Sequence, residues 1–191
     1  MSAITISRQL GSQGDELAIQ VAQSLGWRLV GRALINQAAV KAGVPHMALV
    51  DIDEFGLLSL RPSKKEWQAY QSQVEHIICE WSDEGNVVIV GRGSQMVLRE
   101  RPNVLHVRVI APFEVRVVRL QQEKHLSAES ARAGIEASAK ARARFLQRGY
   151  GVQVDDPTLY HLIINTGLLS LPQAVNVVLQ TFKDLSGGGH T

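Results

Sequence analysis

Apolar residues fall along this chain in two rhythms, short continuous runs and longer stretches at helical spacing, and the two alternate. Ile4-Thr5-Ile6-Ser7 is the first β-type run; Leu17, Ala18, Val21, Ala22 and Leu25 then recur at a helical period that Gly26 ends. Trp27 to Val30 reads as a short strand broken by Gly31-Arg32, and Ala33 to Ala42 as a second helix closed by Gly43. From Val44 to Ser63, Pro45 and Pro62 flank scattered acidic residues, which predicts a loop with little more than a helical turn. Lys64 to Trp81 puts Trp67, Tyr70, Val74, Ile77, Ile78 and Trp81 on one helical face, a stripe made for a core.

Asn86 to Val90 has no polar alternation, the mark of a strand in a parallel sheet covered on both faces. Gly91-Arg92-Gly93 closes it, and a short helix runs to Arg99. Val104 to Ile110 is another strand, Ala111-Pro112 opens a helix, and Arg116 to Arg148 reads as helical and basic. Gly149, Gly151 and Pro157 mark a loop. Leu162 to Ile164 is a last strand and Leu171 to Leu185 a last helix. The alternation predicts a three-layer α/β domain over 1–185, with a flexible tail at 186–191. Its parallel sheet of about five strands carries helices on both faces, with Ile4–Ser7 and Val87–Val90 central.

Composition narrows the function classes. With 191 residues and 45% hydrophobic content the chain can build one proper core. A net charge of +2 gives no global case for nucleic acid or an anionic membrane as partner. No apolar run approaches the roughly 20 residues of a membrane span. The opening strand leaves no room for a leader, so a cytoplasmic protein is expected. Cys79 is the single cysteine, sits within an apolar helical stripe and reads as a buried thiol rather than a nucleophile. The histidines have no metal-ligand spacing, so no metal site is assigned.

Parallel sheets bind ligands at the carboxyl ends of their strands. The loops there are Arg8–Gly14, Gly31-Arg32, Gly91–Gly93 and Asn165-Thr166, and most carry an arginine or a glycine-rich turn. The strand–loop–helix order of Ile4 to Ala18 is the frame of a phosphate-binding loop. Against the pattern G-x-x-x-x-G-K-[ST], with Gly11-Ser12 at its Gly-Ser step, Gln13 replaces the second glycine, Gly14 the lysine and Asp15 the Mg²⁺-binding hydroxyl. Two readings of Asp15 follow. Ser12-Gln13-Gly14-Asp15 fits a capping pattern in which the helix satisfies its own N–H groups. Alternatively, Asp15 bridges to a nucleotide through Mg²⁺. Without such a bridge, like charges about 4 Å apart repel by about 4 kcal/mol at an effective dielectric near 20.

The order of these pieces resembles the cytidylate-kinase-like family of P-loop nucleoside monophosphate kinases. The pieces are Ile4–Gln9 with Gly11-Ser12, Gly31–Ile35, Val88–Gly93, Ala111–Arg116, Arg142–Phe145 and Ile164–Thr166. The resemblance implies transfer of the ATP γ-phosphoryl to a CMP-like monophosphate, with Mg²⁺ accompanying ATP. It implies that Arg8, Gly11, Ser12, Gln13, Gly14 and Asp15 face the ATP phosphates, and that Arg32 and Arg92 hold the acceptor phosphate. Arg142, Arg144 and Arg148 would be the catalytic arginines of a closing lid at about 126–150, since arginine meets phosphate oxygens bidentately. Gly31 and Ala139 stand where the family pattern has aspartates.

Three functions fit this reading. One is an ATP-dependent nucleoside monophosphate kinase with an altered loop. Another is a kinase-fold protein that senses a nucleotide or other phosphorylated ligand without transfer. The third is an interaction module whose basic helix meets an acidic protein or RNA.

Overall fold

The structure is a computed structural model describing residues 2–41, 43 and 63–187. Most of the predicted Val44–Ser63 loop lies outside the described residues. Five strands, β1 (Ala3–Arg8), β2 (Arg28–Val30), β3 (Val87–Val90), β4 (Val104–Ile110) and β5 (Leu162–Asn165), form one sheet in the order β2-β3-β1-β4-β5. Every pairing is parallel, with Ile4 opposite Val88 on one side and Leu105 on the other. Both β1 and β3 are interior to the sheet, and β3, which has no polar alternation, is buried at every position.

Seven helices surround the sheet among the described residues: α1 (Gly14–Leu25), α2 (Arg32–Lys41), α3 (Lys64–Glu84), α4 (Ser94–Val97), α5 (Phe113–Lys124), α6 (Ala128–Tyr150) and α7 (Leu171–Gly187). On one face Ile4, Ile6, Val88, Leu105, Val107 and Val109 meet α1 and the Ala174–Phe182 side of α7. On the other, Ala3, Val87 and Ile89 meet Ile35 of α2 and Tyr70, Val74 and Ile78 of α3. That second face turns polar under β1 and β4, where Thr5, His106 and Arg108 are buried. A smaller cluster of Val117, Leu120, Ala131 and Ile135 joins α5 to α6.

Several boundaries differ from expectation. The stretch from Arg116 to Arg148 is two helices, because His125 adopts a left-handed conformation and Ser127 caps α6 by accepting from the Ser130 amide. Trp27 precedes β2, and α4 ends at Val97 rather than Arg99. Helix α3 runs three residues beyond Trp81, to the stop at Gly85. Ser186 and Gly187 continue α7 instead of fraying. Cys79 and Trp81 are half-buried, each at the margin of the α3 stripe.

Candidate functional site

The loop after β1 has the shape its sequence frame implies. Gly11 (φ 78°) and Gln13 (φ 59°) both take left-handed conformations, and α1 begins at Gly14 with no side-chain cap. Gln13, aligned above with the second glycine of the motif, thus takes a backbone conformation that favours glycine. The Ser12–Asp15 capping pattern is not used. Ser12 is fully buried and its hydroxyl donates to the carbonyls of Gln9 (2.8 Å) and Val109 (3.2 Å), too far inward to meet the helix amides. Asp15 points out of the helix, 60% exposed, and accepts from Arg8 Nε at 3.0 Å. Among the described residues no side chain accepts from the amides at the start of α1, which is the condition for an anion seat.

Neighbouring elements brace this loop. Gly11 lies against the Arg116 backbone: a Cβ there would come within 2.8 Å of the Arg116 carbonyl oxygen. Thr166 donates to the Ser12 carbonyl at 2.7 Å and receives Arg119 Nη1 at 3.0 Å. Gln9 Oε1 accepts from the Ala111 amide at 3.1 Å. Arg116 is buried, with Nε on the Ala111 carbonyl at 3.0 Å and its guanidinium over Phe113. Burial, and then the nearby Arg108, hold its pKa below the ordinary arginine value. Arg116 and Arg119 are thus inward struts, so the basic stretch is not a uniform solvated face; Arg132, paired with Glu114, is on its exposed side.

The second cluster forms where β3 ends. Arg92 is buried, with positive φ (55°) between the two glycines, and its Nη2 donates to Asn36 Oδ1 at 2.9 Å. Its guanidinium lies over Tyr70 (5.8 Å) and Phe145 (5.6 Å). Tyr70 donates to the same Asn36 oxygen at 3.3 Å. Burial raises the Tyr70 pKa, while Arg92 and Arg32 both oppose that rise. Arg32, at the start of α2, thus acts electrostatically on the same phenol as Arg92.

Helix α6 touches both clusters, with Leu10 packed against the cluster that includes its Ala131 and Ile135, and its Phe145 under the Arg92 guanidinium. Ala131, Ile135 and Ser138 form its buried line, and Arg142 continues it at helical spacing, half-buried. Arg144, two residues on, is exposed. Arg148 lies over Trp67 with its guanidinium carbon 4.3 Å from the ring centre, and Gly149 accepts from Gln71 at 2.9 Å. Tyr150 presses against Gly93, where a Cβ would come within 2.6 Å of its ring. Burial, and then the Glu75 carboxylate, push the Tyr150 hydroxyl upward in pKa. Of the three arginines expected on a lid, Arg142 faces inward, Arg148 stacks on α3 and Arg144 faces solvent.

Asn36, Tyr70 and Arg108 were not singled out from sequence. Arg108 is buried in β4, reaching Ser7 Oγ at 3.0 Å and Asp155 at 2.6 Å, so it ties the residue before Arg8 to the loop that follows α6. Its signal was the alternation of His106 and Arg108 with Leu105, Val107 and Val109, a polar face inside an apolar strand. Asn36 and Tyr70 carry no comparable signal, because each reads as ordinary helix surface or core.

The family model described as the cytidylate kinase-like family matches residues 3–168. The chain belongs to that family. Among its relatives is the cytidylate kinase of Pyrococcus horikoshii, 30% identical over 183 residues, covering 95% of this chain and 88% of that one. The cytidylate kinase of Thermoplasma acidophilum is 20% identical over 184 residues, 96% and 93% of the two chains. An uncharacterized protein from Eubacterium ventriosum superposes with a TM-score of 0.77 at 17% identity, covering 96% of this chain and 99% of that one. Shikimate kinase from Acinetobacter baumannii, solved with shikimate, superposes at 0.55 and 12% identity over 100% and 96%. Family and fold are therefore those of P-loop kinases, and no helix among the described residues is long and apolar enough to cross a membrane.

Proposed function

We propose that this member of the cytidylate kinase-like family binds ATP phosphates at Arg8–Asp15 and a CMP-like monophosphate at Arg32 and Arg92. Transfer of the γ-phosphoryl between them is slow. The observation that carries this reading is the pairing of an uncapped α1 N-terminus with the Arg92–Asn36–Tyr70 cluster, both at the strand carboxyl ends. Two anion seats on adjacent strands suit a donor and an acceptor that must meet in line. The inward-facing Arg142 supports a charge-neutralising role for α6, whereas the exposed Arg144 supports none.

Slow transfer follows from the loop's chemistry. The lysine position is a glycine and the hydroxyl position a carboxylate, so neither usual contact to the terminal phosphates is available from α1. Among the described residues no group of three or more His, Cys, Asp or Glu could hold a metal. Asp15 is a single carboxylate already engaged by Arg8, so Mg²⁺ would be held chiefly by the nucleotide's own phosphates. A kinase-fold ligand sensor is the second reading, favoured by that same Arg8–Asp15 pair. The inward roles of Arg116 and Arg119 weigh against a basic RNA-binding face.

Titration with ATP, CMP and both together, with and without Mg²⁺, tests the proposal. Saturable binding of each ligand is expected, with CMP-dependent ADP release below the ordinary enzyme range of roughly 1–10³ per second. Failure to bind any nucleotide would overturn it. Binding without any ADP release would establish the sensor reading.

A further inference from the structure

The phosphate loop lacks a cation at position 14, and the geometry shows why no side chain can stand there. A Cβ on Gly14 would lie 2.4 Å from Arg8 Cβ and 2.9 Å from Arg8 Cγ. The stem of Arg8 runs through the space that a residue at position 14 would use, so a long side chain fits at one position or the other. The head of Arg8 is well placed. Its Nε meets Asp15 at the start of α1, and its Nη1 comes within 3.0 Å of where a Cβ on Gly91 would be. Gly91 immediately precedes Arg92. The guanidinium therefore spans from the phosphate loop to the acceptor cluster, and its side chain is 11% exposed.

We propose that Arg8 supplies, from the end of β1, the phosphate-binding cation that α1 lacks, with Asp15 as its counter-ion until a phosphate displaces the carboxylate. The inference rests on the reading that this loop binds phosphates, and the ligand class is the oligophosphate of a nucleoside triphosphate. Arginine suits the position because its charge persists and its planar fork can meet two oxygens at once. Asp15 is mostly exposed, so leaving the pair returns its carboxylate to water at little desolvation cost. In the resting loop Asp15 neutralises Arg8, and in the occupied loop the ligand does so, leaving the displaced Asp15 carboxylate as a negative charge that water screens but does not remove.

One consequence separates this arrangement from a degraded motif. Gly14→Lys by itself does not repair the loop, because the new stem collides with Arg8. The reciprocal exchange, Arg8→Gly with Gly14→Lys, moves the cation back to α1 and removes the two shortest contacts, leaving Val109 Cβ at 3.3 Å as the one that has to yield by a few tenths of an ångström.

The test measures binding of inorganic tripolyphosphate and of ATP by calorimetry to the parent and folded variants, with thermal melting as the folding check. Arg8→Met keeps the stem and removes the charge, and is expected to weaken both ligands about tenfold or more. The double exchange is expected to bind better than Arg8→Met, and Asp15→Asn to bind both ligands several-fold tighter than the parent in the absence of Mg²⁺. Parent-like binding by Arg8→Met, or a folded double variant with no regained binding, would overturn the inference while leaving nucleotide binding intact. If the double variant does not fold, unchanged or weaker binding by Asp15→Asn overturns it instead. A parent that binds neither ligand overturns this inference together with the functional reading beneath it.

Discussion

The Thr166 hydroxyl donates to the main-chain oxygen of Ser12 at 2.7 Å, across a sequence separation of 154 residues. The turn after β5 thereby holds the phosphate loop from outside, and Arg119 fixes Thr166 in turn through both its hydroxyl and its carbonyl. Thr166→Val keeps the shape but leaves a buried carbonyl and a guanidinium each short of a partner. Removing such bonds costs about 1–3 kcal/mol. Urea unfolding should show that loss, and ATP affinity should fall with it because the loop is no longer held.

Arg92→Ala should weaken CMP binding by about 1.5–3 kcal/mol, the worth of a hydrogen bond to a charged group, with ATP binding alone little changed. Titration of each ligand separately checks this. Equal loss for both ligands would mean that Arg92 serves the fold, through Asn36 and the Tyr70 and Phe145 rings, rather than the acceptor.

Helix α6 is fastened to α3 by the Arg148–Trp67 stack and the Gln71–Gly149 hydrogen bond. A cation–ring contact of this kind is worth about 0.5–2 kcal/mol. Arg148→Ala should therefore speed amide exchange in the last turns of α6 by roughly two- to thirtyfold, while the central strands keep their protection. In the parent, nucleotide should slow exchange across Arg142–Arg148 if α6 closes over the site; no change on ligand addition would mark it as fixed scaffold.

His106 gives the fold a pH dependence. It is buried, shares a 2.7 Å hydrogen bond with Thr5 and stacks on His161, with ring centres 5.0 Å apart. Burial, and then the charge of His161, lower its pKa to about 4. The unfolded chain binds a proton near 6.5 and the folded one does not, so stability rises with pH between about 4 and 6.5 and levels off above. His106 alone contributes on the order of 3 kcal/mol across that window. His106→Gln should flatten that part of the profile relative to the parent in unfolding measured from pH 4 to 7.

The sequence by itself determined the layer order. Continuous apolar runs such as Val87–Val90 can satisfy their burial only inside a parallel sheet, and helical stripes such as Trp67–Ile78 have to cover it. It also placed the loops that carry Arg8, Arg32 and Arg92, because a charge at the end of an apolar strand lies at the sheet's carboxyl edge. What it could not determine was the partner of each polar group. Ser12 reads as a cap by its spacing to Asp15, yet its hydroxyl turns to Val109, which is remote in sequence and adjacent through β4. Asp15 reads as a cap or a metal ligand, and the close approach of Arg8 to Gly14 makes it a counter-ion. Arg116 and Arg119 read only as part of a basic helical run, and the Ala111 carbonyl before α5 and Thr166 after β5 turn them inward. Periodicity records which face of an element is buried. The choice among competing hydrogen-bond partners depends on distances that only the assembled sheet sets.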